Sequence, residues 1–389
     1  MHLQGSPAVL LGVQVLVQSH KVQDIEINVP QIAARRYRIA IGSGILPSVW
    51  PQIKAAHEGF NRFVVTDECV AAAGHLDALL GGRPAPCYTI HPAGEVSKTI
   101  DTAVAIVEAM EKAYLGRDTV VIALGGGTVG DIAGFAAAIF KRGVPVVQVP
   151  TTTLAQADSA IGGKTGVDSS VSKNAFGAFW HPAAVYIDVA TVQTLDERQY
   201  RSGLVESVKH GLIADAEYFA FIEGHLDALL SRDLGTLEAL AEHNCRIKGG
   251  VVAEDPFEKN KRRILNYGHT IGHAVEAASE YKLLHGEAVA IGIVAAGLIE
   301  AELGLSGPDR LDQVRAVFEK LGVPARLPAD MAEERVIDLL RHDKKAVDQW
   351  PRFVLLDWLG QVRCENGQYA VRVGRDIVEK VLSSMKGDP

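Results

Sequence analysis

The sequence of 389 residues has few cysteines and no excess of basic residues. Its four cysteines are far apart and none has CxxC spacing, so we expect reduced thiols of a cytosolic protein and no cysteine metal cage. Lysine and arginine number 39 against 47 aspartates and glutamates, a net charge of −8, which argues against a nucleic-acid surface. An anionic ligand would have to bind to a local basic cluster.

Long apolar runs are also missing. The longest apolar helical run, 288–299, is far shorter than the roughly 20 residues that cross a bilayer. The apolar run 8–17 lacks a basic region before it and a clear cleavage site, so we interpret it as a strand or an extension and not as a signal peptide. Residues 22–41 alternate and predict an edge hairpin. We therefore expect a cytoplasmic protein without a membrane partner.

The apolar pattern divides the chain into two parts. Up to about Asp188, strand patterns without polar positions, such as 119–124 and 144–149, alternate with helical ones, which is typical of a parallel sheet covered on both faces. Beyond it, helical patterns dominate. The length exceeds one usual core, so we predict an α/β fold with a parallel-sheet domain over 1–188 and a mostly α-helical domain over 189–389. The functional site is expected in the cleft between them.

Three histidines lie close together in the segment 262–287. His269 and His273 are four residues apart in a stretch of helical periodicity, so both imidazoles lie on one helix face. His285 follows after a short break. Nitrogens directed at one point suit zinc or a similar divalent ion, although this spacing also occurs in a plain polar helix face.

A carboxylate that could complete a metal site comes earlier in the chain. Glu206 and Lys209 are neighbours on a predicted helix with apolar flanks, so we expect both charges to be buried and to need partners. Glu206 with His269 and His285 would form a one-carboxylate, two-histidine site with open coordination positions, the catalytic type of zinc site. The plain alternative is a surface ion pair.

Glycines and an aspartate after two predicted strands indicate a nucleotide site in the first part. The sequence GGGTVGD at 125–131 lies between a buried strand and a helix, where a pyrophosphate can approach the backbone and the helix N-terminus favours its charge. It is not the GxGxxG fingerprint, and a tight turn explains the glycines equally. Asp67 could accept hydrogen bonds from a ribose, or it could be a solvated loop residue.

Several polar side chains suggest an anion site. Residues 156–174 are rich in glycine and serine, and we interpret them as a functional loop whose lysines and asparagine bind phosphate or carboxylate, with a flexible surface loop as the alternative. The side chains considered for this site are Arg142, Asp158, Lys164, Lys173 and Asn174. Further polar contacts beside the Glu206 site would come from neighbouring helices, through Lys248, Arg262 and Asn266.

Together these motifs resemble those of a known enzyme family. The segments that carry the resemblance are GGGTVGDIAGFAAA, PTTTLAQADSAIGGKTGVD, KNAFGAFWHP, LDERQYRSGLVESVKHGLI, RRILNYGHTIGHAVE, LLHGEAVAIG and HDKKAV. They are similar, in the same order over residues 35–385, to segments of the 3-dehydroquinate synthases of the sugar phosphate cyclase superfamily. So many motifs in register make the superfamily assignment specific.

The resemblance implies a ligand for each site. It implies zinc, or cobalt, at Glu206, His269 and His285. It implies NAD at Asp67, Glu95, Lys98, Gly126, Gly127, Asp131, Thr151, Thr152, Lys164, Lys173 and Thr194. It implies that the substrate, 3-deoxy-D-arabino-heptulosonate 7-phosphate, contacts Asp158, Lys164, Lys173, Asn174, Lys209, Lys248, Arg262, Asn266, His273 and Lys345. Arg142 matches an arginine that reaches the partner subunit's site, which implies a homodimer.

The implied reaction yields 3-dehydroquinate and phosphate, a step of the shikimate pathway of aromatic amino acid biosynthesis. A hydride passes to NAD, phosphate is eliminated, the hydride returns, and the opened ring closes by an intramolecular aldol step. His273 would relay a proton near the leaving phosphate. The sequence departs from the family's usual pattern at Ser172 (usually glycine), at His210 (usually tyrosine) and over 253–263.

Four interpretations remain open. The presence of Lys164, Lys248, Arg262 and Asn266 is expected for a substrate with a carboxylate, which favours a 3-dehydroquinate synthase and argues against a 2-epi-5-epi-valiolone synthase. An aminodehydroquinate synthase would share these residues. A metal-dependent polyol dehydrogenase shares the two-domain layout, but the lysines of 164–174 argue against it. A non-catalytic descendant is not favoured, because every metal-ligand position is filled.

Overall fold

The computed structural model describes residues 36–341 and 350–386. Its strands are β1 (Arg38–Gly42), β2 (Asn61–Asp67), β3 (Cys87–Ile90), β4 (Thr119–Gly125), β5 (Val146–Pro150), β6 (Lys164–Val167), β7 (Phe176–Phe179), β8 (Ala184–Asp188), β9 (Leu356–Trp358) and β10 (Gln361–Val362). Its α-helices are α1 (Leu46–Ala56), α2 (Glu68–Ala72), α3 (His75–Leu80), α4 (Ile100–Lys112), α5 (Gly127–Ile139), α6 (Glu197–Ala214), α7 (Ala216–Gly224), α8 (Leu226–Leu230), α9 (Leu234–Glu254), α10 (His269–Ala278), α11 (His285–Glu302), α12 (Pro308–Leu321), α13 (Glu333–Arg341) and α14 (Arg375–Ser384).

A parallel sheet organises the first half of the described chain. Its six strands follow the order β1-β8-β5-β4-β2-β3, and all neighbouring pairs are parallel. The central strand β4 is buried along its whole length. Val121 and Ala123 pack against α4 and α5 on one face, while Val120 and Ile122 pack against α1 and α3 on the other. The predicted fold class, a parallel sheet covered on both faces and then a helical region, is confirmed.

Close helix contacts organise the second half. A Cβ atom at Gly292 would lie 1.9 Å from the carbonyl oxygen of Gly268, and one at Gly286 would lie 1.9 Å from the carbonyl oxygen of Ser202. Only glycine allows α11 to approach α10 and α6 this closely. The first turn of α11, with His285, is thereby held beside α6, which carries Glu206.

Several local predictions need correction. The segment 156–174 is not one flexible loop: it begins in a buried π-helical turn, Ala155–Ser159, and continues into a hairpin of β6 and β7. Its small residues pack closely, which composition alone did not reveal. In the predicted hairpin 22–41, the second arm is β1, which pairs in parallel with β8, and the first arm lies outside the described residues. β8 and α14 were not predicted.

The remaining predictions concern membrane spans, the N-terminal apolar run and the domain boundary. In the described part of the chain, no helix combines the length and apolarity that crossing a bilayer requires. The run 8–17 lies outside the described residues. The division into domains at residue 188 stays a prediction.

Candidate active site

The candidate site lies where the carboxyl edge of the sheet meets the helices. The π-helical turn 155–159, which follows β5, packs against α6 and α9. Ligands of open α/β sheets bind in the crevice at this edge. Side chains from both halves of the chain therefore converge here.

A carboxylate and two imidazoles form the centre of the site. Glu206 lies in the middle of α6, whereas His269 and His285 are the first residues of α10 and α11. Nε2 of His269 lies 3.5 Å and Nε2 of His285 lies 3.4 Å from Oε1 of Glu206. One ligand atom from each residue lies within 4.8 Å of the others. The structure thus brings together the three side chains that the sequence nominated.

Local geometry fixes which nitrogen of His269 faces this centre. Gly268 has a φ of 76°, and a Cβ there would lie 2.5 Å from Cγ1 of Ile293, so this tight entry to α10 requires glycine. Nδ1 of His269 lies 3.0 Å from the carbonyl oxygen of Tyr267 and donates to it. The other nitrogen, Nε2, is then a lone-pair donor directed at Glu206.

His285 is oriented by a carboxylate that sequence reasoning missed. Its Nδ1 lies 3.6 Å from Oε2 of Glu276, whose Oε1 lies 3.0 Å from Nζ of Lys173. Such an outer carboxylate directs the remaining nitrogen of a histidine toward a metal. The available signal was that Glu276 follows His273 by three residues and shares its helix face.

The protonation states in this centre follow from burial and neighbouring charges. Burial opposes the charge of Glu206, but Lys209 and His269 outweigh it and hold the pKa of Glu206 well below its ordinary value. Burial and Lys209 together hold the pKa of His269 well below its ordinary value. His285 differs, because Glu206 and Glu276 overcome burial and raise the pKa of His285 to about 9. A cation bound at its Nε2 would displace a proton.

The N-terminus of α5 offers backbone donors at the end of β4. No side chain caps this helix and no acidic residue lies in its first turn. It can therefore bind an anion. The tight-turn alternative also has support, because a Cβ at Gly126 or Gly127 would lie 3.0 Å from the side chain of Thr152 or Ser159.

Charged residues near α5 form two ion pairs. Nζ of Lys98 lies 2.7 Å from Asp131, and Nζ of Lys173 lies 3.1 Å from Glu95. Thr128 also donates to Glu95, at 3.2 Å. Four of the residues proposed for the nucleotide are therefore neighbours.

The other nucleotide candidates make local contacts. Asp67 caps α2 by accepting from the amide of Val70 at 2.8 Å. The hydroxyl of Thr152 accepts from the amide of Ala155 at 3.2 Å, and Thr151 donates through its own amide to the carbonyl of Gly125 at 2.9 Å. Thr194 ends the turn that follows β8, and its hydroxyl lies 2.8 Å from Nε2 of His75.

The basic residues proposed for the substrate lie around two carboxylates. Asp158 lies 2.7 Å from Nζ of Lys248. Lys164 pairs with Glu258, which also accepts from Nδ2 of Asn266 at 2.8 Å. Sequence reasoning missed Glu258. The available signal was that Glu258 directly precedes the basic stretch 259–263.

The remaining candidates differ in accessibility. Arg262 is only 1% exposed, and its guanidinium donates to the carbonyl of Pro256 at 2.8 Å. The ring of His273 lies 5.2 Å from that of His269. Asn174 and Arg142 are exposed, with φ angles of 51° and 69°. Lys345 lies outside the described residues.

Comparison with known families matches both halves of the chain. Residues 88–202 match the model of the 3-dehydroquinate synthase N-terminal region, and residues 203–346 match that of its C-terminal region. The 3-dehydroquinate synthase of Desulforamulus reducens is 42% identical over 332 residues, which cover 84% of this chain and 92% of that relative.

Solved structures of two sugar phosphate cyclases share the fold. A 2-deoxy-scyllo-inosose synthase, complexed with carbaglucose-6-phosphate, NAD+ and Co2+, has a TM-score of 0.83 and 29% identity over 91% of this chain and 98% of that one. The 2-epi-5-epi-valiolone synthase of Streptomyces hygroscopicus subsp. jinggangensis 5008, with NAD+ and Zn2+ bound, has a TM-score of 0.80 and 28% identity over 92% and 99%.

Proposed function

The chain belongs to the 3-dehydroquinate synthase family, and from that premise we propose that it converts 3-deoxy-D-arabino-heptulosonate 7-phosphate into 3-dehydroquinate and phosphate. It is an enzyme, a phosphate-eliminating carbon–oxygen lyase, and its place is the shikimate pathway of aromatic amino acid biosynthesis. The observation that carries the proposal is the convergence of Glu206, His269 and His285 beside basic side chains suited to a phosphate and a carboxylate.

Glu206, His269 and His285 would hold the metal ion. Both carboxylate oxygens of Glu206 are buried: Oε2 pairs with the ammonium of Lys209, and Oε1 faces Nε2 of both histidines. A carboxylate oriented toward two imidazoles fits a zinc or cobalt site with an open position. When bound, the ion supplies Lewis acidity that lowers the pKa of a coordinated substrate hydroxyl.

NAD would bind with its pyrophosphate at the N-terminus of α5. The uncapped backbone amides after Gly126 fit such an anion. The further residues proposed for NAD are Asp67, Glu95, Lys98, Gly127, Asp131, Thr151, Thr152, Lys164, Lys173 and Thr194. When bound, NAD supplies the hydride acceptor and donor for a redox cycle that leaves no net NADH.

The substrate would lie between the nucleotide and the metal ligands. Lys164 and Lys173 carry the positive charges that can bind its phosphate. Lys248, and Asn266 beside Lys164 at Glu258, can bind its carboxylate and hydroxyls. His273, whose ring lies beside those of His269 and His285, would transfer a proton at the phosphate oxygen. Asp158, Asn174, Lys209, Arg262 and Lys345 complete the proposed set.

We also propose a cytoplasmic homodimer in which Arg142 acts in the partner's site. Arg142 is exposed in the short turn Phe140–Arg142 that follows α5. Nearby, Trp180 donates to the carbonyl of Val144 at 3.0 Å and follows β7, whose Phe176 and Phe179 are exposed. Such an apolar surface is suited to a subunit contact. Mixing inactive Arg142→Ala and Glu206→Ala subunits should restore activity if the arginine acts between subunits.

Phosphate release tests the proposed reaction. The purified protein is incubated with zinc, catalytic NAD and 3-deoxy-D-arabino-heptulosonate 7-phosphate, while phosphate and NADH absorbance are followed. Phosphate without net NADH supports the proposal. Turnover of sedoheptulose 7-phosphate or of the amino analogue instead would assign the chain to a valiolone or aminodehydroquinate synthase. Accumulation of NADH with simple polyols would make it a dehydrogenase.

A further inference from the structure

A histidine that belongs to none of the sites above lies beneath the proposed substrate pocket. His210 follows Lys209 on α6 and has no solvent-exposed surface. Its Nε2 lies 3.7 Å from Oδ1 of Asp158 and is buried without a hydrogen bond to any described residue. Buried polar atoms normally have partners, so a ring nitrogen without one that faces a carboxylate requires an explanation.

The other nitrogen of His210 belongs to a polar network. Its Nδ1 lies 2.9 Å from Oδ1 of Asn244, and Oδ1 also accepts from the hydroxyl of Tyr218 at 2.9 Å. Nδ2 of Asn244 donates to Oγ of Ser207 at 2.8 Å. The ring is therefore held from α9 and α7 as well as from its own helix.

The same side-chain positions allow a second set of hydrogen bonds, in which donors and acceptors are exchanged. If the Asn244 amide is turned by 180°, its NH2 group donates to Nδ1 of His210 and its oxygen accepts from the hydroxyl of Ser207. The hydroxyl of Tyr218 then donates to the carbonyl of Leu240, which lies 3.3 Å away. In this arrangement a neutral His210 carries its hydrogen on Nε2, directed at Asp158.

The ion-pair partner of Asp158 is a lysine. Nζ of Lys248 lies 2.7 Å from its Oδ1 and also donates to its backbone carbonyl. Lysine is a flexible point charge and fixes no orientation of a carboxylate. An imidazole anchored by Asn244 is rigid by comparison. The carboxylate is partly exposed, whereas His210 is not, so His210 can act on a ligand only through Asp158.

We propose that His210 is a positioning residue: it donates from Nε2 to Asp158 and fixes the carboxylate that would contact the hydroxyl groups of the sugar phosphate. This inference rests on the proposed function for its consequence in catalysis. Asn244 takes part in this positioning, because it determines which nitrogen of His210 carries the hydrogen.

Two substitutions separate this role from packing. The amide of His210→Asn lies near the former Nδ1, so it can still bond Asn244 but leaves Asp158 without a donor. The amide of His210→Gln reaches the former Nε2 and restores that donor. We expect His210→Asn to lower kcat/KM by about 10- to 100-fold, mostly through KM, and His210→Gln to recover most of the loss.

A neighbouring histidine provides the control. His243 lies on α9 and stacks on Tyr218, with ring centroids 4.6 Å apart. His243→Asn removes a ring from the same region without a contact to Asp158, so its kinetics should match the wild type. Equal losses in His210→Asn and His210→Gln, with unchanged zinc content, would assign His210 to packing and overturn the proposal.

A second measurement is independent of turnover. In protein labelled with 15N-histidine, the His210 signals are identified by their loss in His210→Asn. We expect the Nε2–H tautomer, and we expect its Nε2 shift to change in Asp158→Asn. The Nδ1–H tautomer, or insensitivity to Asp158→Asn, would overturn the contact. If the wild type releases no phosphate, the function fails while this spectrum still decides the contact.

Discussion

Replacement of Lys209 by methionine tests how the buried charge of Glu206 is tolerated. Glu206 is completely buried and Lys209 is 1% exposed, and the two form an ion pair one helical turn apart. Lys209→Met leaves the charge of Glu206 without its ammonium partner, and breaking a buried pair in this way costs about 3–5 kcal/mol. A neutral methionine fills nearly the same volume, so Lys209→Met isolates the charge from the packing.

The expected decrease in the melting temperature of Lys209→Met follows from the length of the chain. At about 2.1 cal/mol/K per residue, unfolding 389 residues has an entropy of roughly 0.8 kcal/mol/K. A loss of about 3–5 kcal/mol therefore lowers the melting temperature of the metal-free protein by roughly 4–6 °C. Added zinc should reverse much of this loss, because a cation beside Glu206 replaces the missing ammonium.

The assay is calorimetry of metal-free and zinc-loaded protein. The matched control is Lys112→Met, which removes an exposed lysine paired with Glu108 and should change stability by less than about 0.5 kcal/mol. In the double variant Glu206→Gln, Lys209→Met, most of the metal-free stability should return. If the single variant melts like the wild type without metal, the carboxylate is not charged or not buried, and the reasoning is refuted.

Three other predictions follow from the same structure. Glu276→Gln should weaken zinc binding by about 10- to 100-fold in a chelator competition, whereas exposed Glu280→Gln should not. Burial, opposed by Arg310, raises the pKa of Glu300 from 4.5 to about 7, so stability falls as pH rises from 4.5 to 7 because only the unfolded chain releases this proton there. Glu300→Gln should remove about 3 kcal/mol of that fall, as measured by denaturant unfolding. Arg262→Ala should raise KM for the sugar phosphate, and an unchanged KM would mean that another residue binds the carboxylate.

The strands, the helices and the histidine pair could be predicted because each produces a pattern within a short segment of the sequence. Fully apolar strands, helical periodicity and the spacing of His269 and His273 are properties of short segments. Glu258 and Glu276 escaped because a glutamate on a helix or in a turn is usually solvated, and only tertiary packing reveals that these two pair with Lys164 and Lys173. The role of His210 escaped for the same reason.

Side chains of alternating charge form a row through the candidate site. They come from separate segments, so the sequence shows no local pattern for them. Nζ of Lys173 lies 3.1 Å from Glu95 and 3.0 Å from Glu276; Glu276 lies 3.6 Å from His285, and His285 lies 3.4 Å from Glu206. The members come from five separate segments, so no periodicity connects them. Glu206 and Glu276 in this row are buried, and buried charges stabilise a fold less than apolar side chains of the same volume. These charges lie along a line from the proposed NAD site to the proposed metal site. Their presence is therefore explained by the chemistry between those sites and not by the stability of the fold.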